Sequence, residues 1–237
     1  MKKALFFIAL INIWPSYVSA NGLNTLIEQS SMKRNVNANI LRAIIETESH
    51  GHPWTLNIDG EGFKFKSKDA AVSALWNLTK NQYLLKVNGL GSGRDLRIFF
   101  PNQSSASAYV RSLIISDRTG VYSKLTQRTD QSKVLQESQY RIRKIWLINT
   151  DIGIAQINYR FNGRGIASVQ KWLDPSFNID YAARKIAEIK KSRNVSDFEA
   201  AGFYHSATPA LRSRYLSEIK KFLERNSTSA TNNIASN

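Results

Sequence analysis

The sequence of 237 residues contains no cysteine, which excludes a disulfide framework, thiol chemistry and lipid attachment through an N-terminal cysteine. Histidine is almost as scarce, with only His50, His52 and His205. His50 and His52 are two residues apart and cannot face the same way on a helix, so we expect no metal site. The segment 89–93, GLGSG, is not followed by the lysine and helix that a phosphate-binding loop requires. The sequence therefore predicts neither a metal nor a cofactor.

Long apolar runs are missing beyond the N-terminus. The run from Ala4 to Trp14 is too short to span a bilayer, and no later stretch approaches twenty uninterrupted apolar residues. Lys2 and Lys3 precede the run, and Val18-Ser19-Ala20 follows it as a small-residue cleavage site. This pattern predicts a signal peptide, with an uncleaved anchor as the alternative. We expect a periplasmic protein cleaved after Ala20, without stable membrane insertion.

Acidic residues are few, with 18 against 33 basic residues and a formal charge of +15. Loss of Lys2 and Lys3 with the signal peptide takes this charge to +13. Such a charge implies an anionic partner: nucleic acid, an anionic membrane surface or an anionic polysaccharide such as the cell wall. The predicted export argues against nucleic acid. The basic residues are scattered, which is more typical of a solvated surface.

Residues 37–48 predict an amphipathic helix with one carboxylate on its buried face. Asn37 can cap the helix, and its apolar face is formed by Ile40, Leu41, Ile44 and Ile45. Glu48 continues this face, whereas Glu46 is rotated roughly 200° away from it. Burial and the negative end of the helix dipole both favour a protonated Glu48, as a general acid requires. The alternative is a structural carboxylate at the rim, or one paired with a nearby lysine or arginine.

The next segments alternate between hairpin and helix signals. A helix is predicted over 21–35, and a β-hairpin over Trp54–Phe65 around Asp59-Gly60. Ser67-Lys68-Asp69 then begins another helix. A similar strand, cap and helix pattern recurs 35 residues later around Phe100, which suggests a diverged duplication.

The remaining segments are less regular until the C-terminal region. Residues 116–137 are polar and predict an exposed connection or a loose helix, and residues 138–148 bring back apolar residues that a compact segment could bury. An amphipathic helix is predicted over Ala210–Leu223. The small polar residues 226–237 predict a disordered tail.

Two further stretches contain candidate site residues. Gly153 and Ala155 are small enough for backbone to approach a ligand, and Gln156 can present an amide to a sugar. Tyr204 and His205 precede the C-terminal helix. Each of these residues is also compatible with an ordinary core or surface role.

Four segments occur in an order found in a known family. They are Glu48-Ser49, Gly153-Ile-Ala-Gln-Ile-Asn158, Leu173–Arg184 and Phe203-Tyr-His-Ser206. In this order they resemble soluble lytic transglycosylases. The last segment, continued by Thr208-Pro209-Ala210 and Arg214-Tyr215, is similar to the transglycosylases of type IV secretion, conjugation and invasion systems. Pro53–Asn57 resembles a subgroup of these enzymes, and the resemblance covers about 40–60 and 148–225.

The resemblance implies roles for individual residues. Glu48 takes the place of the single catalytic acid, and Ser49 that of the neighbouring hydroxyl that positions the acid or the substrate. Gln156 corresponds to the glutamine of the saccharide groove, and Tyr204 to a tyrosine close to the acid. Asn158 and His205 complete the predicted substrate-binding set. Ala155 departs from the usual methionine, and the roughly ninety residues between Pro53 and Asp151 exceed the usual few tens.

The fold that the resemblance implies is α+β: a mostly helical lysozyme-like domain with a mixed α/β insertion containing one or two β-hairpins. The predicted boundaries are 1–20 for the signal peptide, 21–60 and 148–225 for the two parts of the domain, 61–147 for the insertion and 226–237 for the tail.

The implied activity is cleavage of the MurNAc-β-1,4-GlcNAc bond of peptidoglycan with formation of 1,6-anhydroMurNAc. Glu48 would act first as the acid and then as the base, and the enzyme would remodel the cell wall locally for a secretion or conjugation apparatus. Two alternatives stay open. A second carboxylate such as Asp151 holding a water would make a hydrolase like goose-type lysozyme. Without catalysis, the chain would be a peptidoglycan-binding scaffold.

Overall fold

The computed structural model describes residues 20–91, 95–130 and 134–234. Its combination of helices and two small sheets confirms the predicted α+β class. The predicted signal peptide lies outside the described residues except for Ala20, at which the first helix begins. Within the described ranges, no helix combines the length and apolarity needed to span a bilayer.

The secondary structure of the described residues alternates between helices and short strands. The helices are α1 (Ala20–Arg34), α2 (Ala38–Ser49), α3 (Lys68–Lys80), α4 (Gln103–Ser116), α5 (Val169–Trp172), α6 (Pro175–Arg193), α7 (Asp197–His205) and α8 (Pro209–Ile234). The strands are β1 (Thr55–Ile58), β2 (Glu61–Lys64), β3 (Tyr83–Asn88), β4 (Leu96–Phe100), β5 (Thr126–Gln127), β6 (Gln139–Lys144), β7 (Thr150–Ile152) and β8 (Ile157–Asn158). A π-helical turn, Tyr159–Gly163, follows β8.

These elements form two compact units. The first contains residues 20–71 and 150–234, and its sheet has the strand order β2-β1-β7-β8 with antiparallel neighbours. Its helices pack in a chain of neighbours, with α1 against α2 and α6, α7 against α6 and α8, and α8 against α2. The buried residues of these helices include Leu41, Ile44, Ile179, Ala182, Ile186 and Ile219.

The second unit contains residues 72–149 and has its own sheet, in the order β4-β3-β6-β5. Strand β3 is antiparallel to β4 and β6, and β5 is parallel to β6. Helix α4 covers one face of the sheet. The apolar core between them consists of Leu85, Val87, Ile98, Phe100, Ala106, Val110 and Leu125.

The predicted hairpin is confirmed, but its position shifts the domain boundary. Strands β1 and β2 are joined at Asp59-Gly60, both with positive φ (52° and 86°), as a two-residue hairpin turn requires. Strand β1 pairs with β2 on one side and β7 on the other, so the hairpin belongs to the first sheet. The second unit therefore spans 72–149 rather than the predicted 61–147.

The repeated strand, cap and helix pattern is present in both places. After β2, the Ser67 hydroxyl accepts a hydrogen bond from the Ala70 amide at 3.1 Å. After β4, the Asn102 side chain accepts one from the Ser105 amide at 2.8 Å. The local pattern is thus confirmed, and a duplication stays a prediction.

The polar connection and the C-terminal segment differ from expectation in part. The described residues of 117–137 contain turns and the short strand β5 but no helix. Both Ile145 and Trp146, expected in a buried segment, lie beyond the end of β6; Ile145 is 2% exposed, whereas Trp146 is 64% exposed. Helix α8 continues to Ile234, through most of the segment predicted to be disordered; residues 226–234 contain no proline or glycine to end it. Residues 235–237 lie outside the described part.

The side chain of Asn178 on α6 holds the loop that follows β7. It is fully buried, and its Oδ1 accepts a hydrogen bond from the Ala155 amide at 2.8 Å. Its Nδ2 donates to the carbonyls of Ile152 (2.9 Å) and Trp172 (2.8 Å). Because both oxygen and nitrogen are used, the loop is fixed relative to α5 and α6.

Gly153 is required by this arrangement rather than by a ligand. Its φ of +83° is a left-handed conformation, and an added Cβ would lie 2.5 Å from Asn178 Nδ2 and 2.7 Å from the Trp172 carbonyl oxygen. The small residue predicted to admit a ligand therefore admits the Asn178 amide.

Asn178→Ala should lower the free energy of unfolding of the first unit by about 3–5 kcal/mol, because three buried backbone groups lose their partner. Urea unfolding followed by tryptophan fluorescence measures the change. Gln170→Ala, at an exposed position of α5, is the control and should change the free energy by less than about 0.5 kcal/mol. Equal stabilities of the two variants would contradict this account of the loop.

Candidate functional site

Helix α2 places Glu48 as its periodicity predicts. The Asn37 side chain caps the helix by accepting hydrogen bonds from the amides of Asn39 (2.9 Å) and Ile40 (3.3 Å). The Glu48 side chain is 16% exposed, whereas that of Glu46 is 45% exposed. The assignment of these two carboxylates to an inner and an outer face is confirmed.

The end of α2 is set by a change of backbone conformation. His50 adopts a left-handed conformation with φ 55°, and its amide donates to the Glu46 carbonyl at 2.8 Å. Gly51 follows with φ 68°. Glu48 therefore lies in the last turn of the helix, near the negative end of its dipole.

Glu48 is not held by a surface ion pair. Among the described residues, no lysine or arginine forms a salt bridge with it; its partner is His205, whose Nδ1 lies 3.4 Å from Glu48 Oε1. This contact is longer than a typical strong hydrogen bond, and it pairs charges only when the imidazole is protonated. The structural alternative of a lysine or arginine partner is not supported.

The Tyr215 ring packs against the His205 imidazole. The two rings stack with centroids 4.2 Å apart and planes 7° from parallel. The close approach of α7 and α8 depends on Gly202, where an added Cβ would lie 2.7 Å from Arg212 Cγ. The stack fixes the imidazole in the plane from which it contacts Glu48.

The Tyr215 hydroxyl is buried beside a negative charge. Among the described residues, no group meets the full geometry of a hydrogen bond with this hydroxyl, but the Glu48 carboxylate is close enough for a side-chain hydrogen bond to contribute to the pKa of Tyr215. Burial, and next the Glu48 carboxylate, raise the pKa of Tyr215 well above its ordinary value. The hydroxyl therefore stays protonated and presents a proton, not a charge, to the surroundings of Glu48.

Asp151 is a second carboxylate in the same environment. Strands β1 and β7 pair Asn57 directly with Asp151, and β8 pairs Asn158 with it from the other side. Asn57 Nδ2 donates to Asp151 Oδ2 at 3.1 Å, and Asn158 Nδ2 donates to Oδ1 at 2.7 Å. Two amides thus fix the orientation of this carboxylate.

The surroundings of Asp151 disfavour the ionised form of its carboxyl group. Burial raises the pKa of Asp151 above its ordinary value, and the Glu48 charge raises it further. The hydrogen bonds from Asn158 and Asn57 and the interaction with His205 lower the pKa, and each of these effects is smaller than that of burial. The Glu48 carboxylate is therefore near enough to Asp151 to disfavour its charge.

Gln156 and Tyr204 tie the loop after β7 to its neighbours. Gln156 Nε2 donates to the carbonyls of Gly153 (2.7 Å) and Thr55 (3.2 Å), so the amide oxygen is the end of this side chain that these hydrogen bonds leave available. The Tyr204 hydroxyl donates to the Ala155 carbonyl at 2.5 Å. Burial and the charges of Glu48 and Asp151 raise the pKa of Tyr204 well above its ordinary value.

Ser49 differs from its predicted role. It is 2% exposed, and its hydroxyl donates to the Ile45 carbonyl of its own helix at 3.2 Å. A hydroxyl that is buried and bonded in this way cannot contact a substrate in solvent. The structure thus groups Glu48, Gln156, Asn158, Tyr204 and His205, and leaves Ser49 in the core.

Two residues of this site, Asn57 and Tyr215, had no role assigned from sequence, and Asp151 had one only in the hydrolase alternative. Asn57 is the partly exposed residue of the otherwise buried strand β1, and Asp151 is placed beside it only by pairing between distant strands. Tyr215 lies four residues before buried Ile219 on α8. A tyrosine on a buried helical face needs a polar neighbour for its hydroxyl, and this requirement is the sequence feature that points to Tyr215 as a site residue.

Comparisons with protein-family models, curated proteins and solved structures find no match to this chain. The resemblance to lytic transglycosylases consequently depends on the quoted segments alone.

Replacement of Asp151 should change how stability depends on pH. With a folded-state pKa above that of the unfolded chain, ionisation of Asp151 costs stability as pH rises through the raised pKa, and the cost is absent below the unfolded value. The free energy of unfolding of Asp151→Asn, relative to that of the wild type, should therefore increase as the pH rises from about 3 to about 7. Urea titrations across this range measure the difference.

Asp69→Asn, at an exposed position of α3, is the matched control for the pH series. The interpretation of Asp151 fails if its variant shows a constant difference from the wild type, or a difference that moves in the opposite direction.

Proposed function

We propose that this chain is a lytic transglycosylase that cleaves the MurNAc-β-1,4-GlcNAc bond of peptidoglycan and leaves a 1,6-anhydroMurNAc end. The observation that carries the proposal is the position of Glu48. This carboxylate is mostly withdrawn from water at a helix end, without a lysine or arginine salt bridge among the described residues. A carboxylate in such an environment is suited to carrying a proton to a substrate. A lysozyme-like fold for the first unit is part of the same proposal.

The first step needs a proton at the glycosidic oxygen. Glu48 donates this proton, and the bond between that oxygen and C1 of MurNAc breaks. The positive charge that develops at C1 is stabilised by the acetamido group of the substrate. A second carboxylate acting as nucleophile, as in ordinary retaining glycosidases, is then unnecessary.

The second step returns the proton. Glu48, now a carboxylate, accepts the proton of the MurNAc 6-hydroxyl. The oxygen of that hydroxyl then bonds to C1 and closes the anhydro ring. The enzyme is restored to its starting protonation state, and no water is consumed. One carboxyl group that serves as acid and then as base accounts for both steps.

Neighbouring residues support this use of Glu48. His205, stacked on Tyr215, limits the orientations of the carboxylate. Gln156 and Tyr204 hold the loop that carries the saccharide-binding element of the resemblance. The formal charge, +15 for the full chain and +13 without Lys2 and Lys3, favours an anionic polymer as substrate.

The same proposal includes location and role. The signal-peptide pattern of residues 1–20 supports export to the periplasm, where peptidoglycan is accessible. The resemblance of residues 203–215 to the transglycosylases of secretion and conjugation systems supports local wall remodelling for such an apparatus.

Glu48→Gln should abolish release of anhydromuropeptides from purified sacculi while the protein remains folded. The amide keeps the shape of the side chain and loses the transferable proton, a loss of at least about 10²-fold. Mass spectrometry of the released muropeptides gives the measurement. Glu46→Gln, on the exposed face of the same helix, is the control and should retain activity.

Anhydromuropeptide release by Glu48→Gln at the wild-type rate would contradict the assignment of the acid. A wild-type protein that sediments with sacculi and releases nothing would instead indicate a binding scaffold.

A hydrolase is the second candidate, and the position of Asp151 favours it. This carboxylate interacts with the Glu48 charge, and burial raises its pKa. An ionised Asp151 could hold a water for attack at C1, as in an inverting glycosidase. Both of its oxygens, however, already accept hydrogen bonds from Asn57 and Asn158, which fits a positioning role better.

Asp151→Asn separates the two candidates. If Glu48 alone performs the chemistry, the variant should keep anhydro products and lose less than about tenfold in rate. A catalytic base would cost about 10²–10⁴-fold, and the wild-type products would carry reducing ends. The product ends and the rate are obtained in one mass-spectrometric time course.

A further inference from the structure

The π-helical turn directly after the site is held rigidly at its start. The Asn158 side chain caps it by accepting a hydrogen bond from the Phe161 amide at 3.2 Å. The Arg164 amide donates to the Tyr159 carbonyl at 2.7 Å and closes the turn. Turns of this kind are frequent at functional sites.

Two buried aromatic residues anchor the rest of the turn. The Tyr181 hydroxyl donates to the Asn162 carbonyl at 3.0 Å, and Trp172 Nε1 donates to the Gly163 carbonyl at 3.1 Å. The Trp172 and Tyr181 rings are in edge-to-face contact at 4.6 Å, so the two anchors also support each other. The backbone of the turn is therefore fixed to the core of the first unit.

This rigid turn presents an aromatic ring to solvent. Phe161 is 75% exposed, although its backbone is tied on both sides. The Arg160 guanidinium lies 5.2 Å from the ring centroid, in a cation–π arrangement. A fixed backbone with an exposed ring and an adjacent cation loses little conformational freedom when a ligand binds.

One side chain links this ring to the carboxylates. Asn158 accepts from the Phe161 amide through Oδ1 and donates to Asp151 through Nδ2. The amide that orients Asp151 therefore also orients the backbone that carries Phe161. Asp151 in turn interacts with the Glu48 charge. The ring is thus connected to the site by a single side chain.

We propose that Phe161 and Arg160 form a saccharide-binding subsite, at which the ring stacks on the apolar face of a hexosamine and the guanidinium pairs with a carboxylate of the glycan strand. The proposal depends on the proposed function for the identity of the ligand. An amphipathic sugar with a nearby anionic substituent matches an aromatic ring beside a cation. The occupant is therefore a peptidoglycan glycan strand that extends beyond the bond being cleaved.

Binding measured without turnover tests the subsite. In a Glu48→Gln background, soluble uncross-linked glycan strands are titrated by isothermal calorimetry against Phe161→Ala, Phe161→Leu and Phe161→Trp. Phe161→Ala removes the ring that the bound sugar would cover, and this loss should weaken binding by about tenfold. Leucine should recover little of this loss, because it cannot stack, whereas tryptophan should retain the affinity.

Arg160→Gln tests the cation separately. It should reduce the affinity and make it less dependent on salt concentration, because one charge pair is removed. Met32→Ala, on α1 and 76% exposed, is the matched control for loss of an exposed apolar side chain and should leave binding unchanged.

The outcomes distinguish the subsite from the proposed function. Equal dissociation constants for the Phe161→Ala variant and its parent would overturn the subsite and leave the proposed catalytic role of Glu48 unaffected. A tenfold loss in Phe161→Ala, together with a wild-type protein that releases no product from sacculi, would retain the subsite and reject the activity. Absence of glycan binding by the parent would reject both.

Discussion

The site depends on the pairing of β1 with β7. These strands contribute Asn57 and Asp151, which are 94 residues apart in sequence and directly opposed in the sheet. Closing so long a loop has an entropic cost, and hydrogen bonds such as that from the Gly153 amide to the Thr55 carbonyl at 2.9 Å help to offset it. Because β7 leads directly into the loop that Asn178 holds, the same pairing also fixes Gln156 and Asn158.

Around this pairing, charge is distributed unevenly. The chain is strongly basic overall, yet no lysine or arginine among the described residues forms a salt bridge with Glu48. The groups around Glu48 are instead an imidazole, two tyrosines whose pKa values are raised by burial, and a second carboxyl group. Burial raises the pKa of Asp151, Tyr204 and Tyr215, so these three groups hold their protons more strongly than they would in water. Arg160 provides cationic charge at the exposed turn that follows Asn158.

Patterns among residues close in sequence predicted the helix and the hairpin of this site. They did not predict the contacts between residues far apart in sequence. Helical periodicity separated Glu48 from Glu46, and the Asp59-Gly60 pair located a hairpin turn, since both depend on residues close in sequence. Ser49 was misjudged because its hydroxyl bonds to its own helix, an option open to any serine in that position. Asn57, Asp151 and Tyr215 meet Glu48 only through strand pairing and helix packing, which sequence spacing does not specify.

The most direct test of the account is digestion of sacculi in water enriched in oxygen-18. If Glu48 acts alone as acid and base, the MurNAc product closes on its own 6-hydroxyl, and mass spectrometry will find anhydro ends without solvent oxygen. Products with reducing ends that carry one oxygen-18 at C1 would contradict the account, because a water molecule would then have attacked the sugar. That result would make Asp151 the first residue to consider as the base.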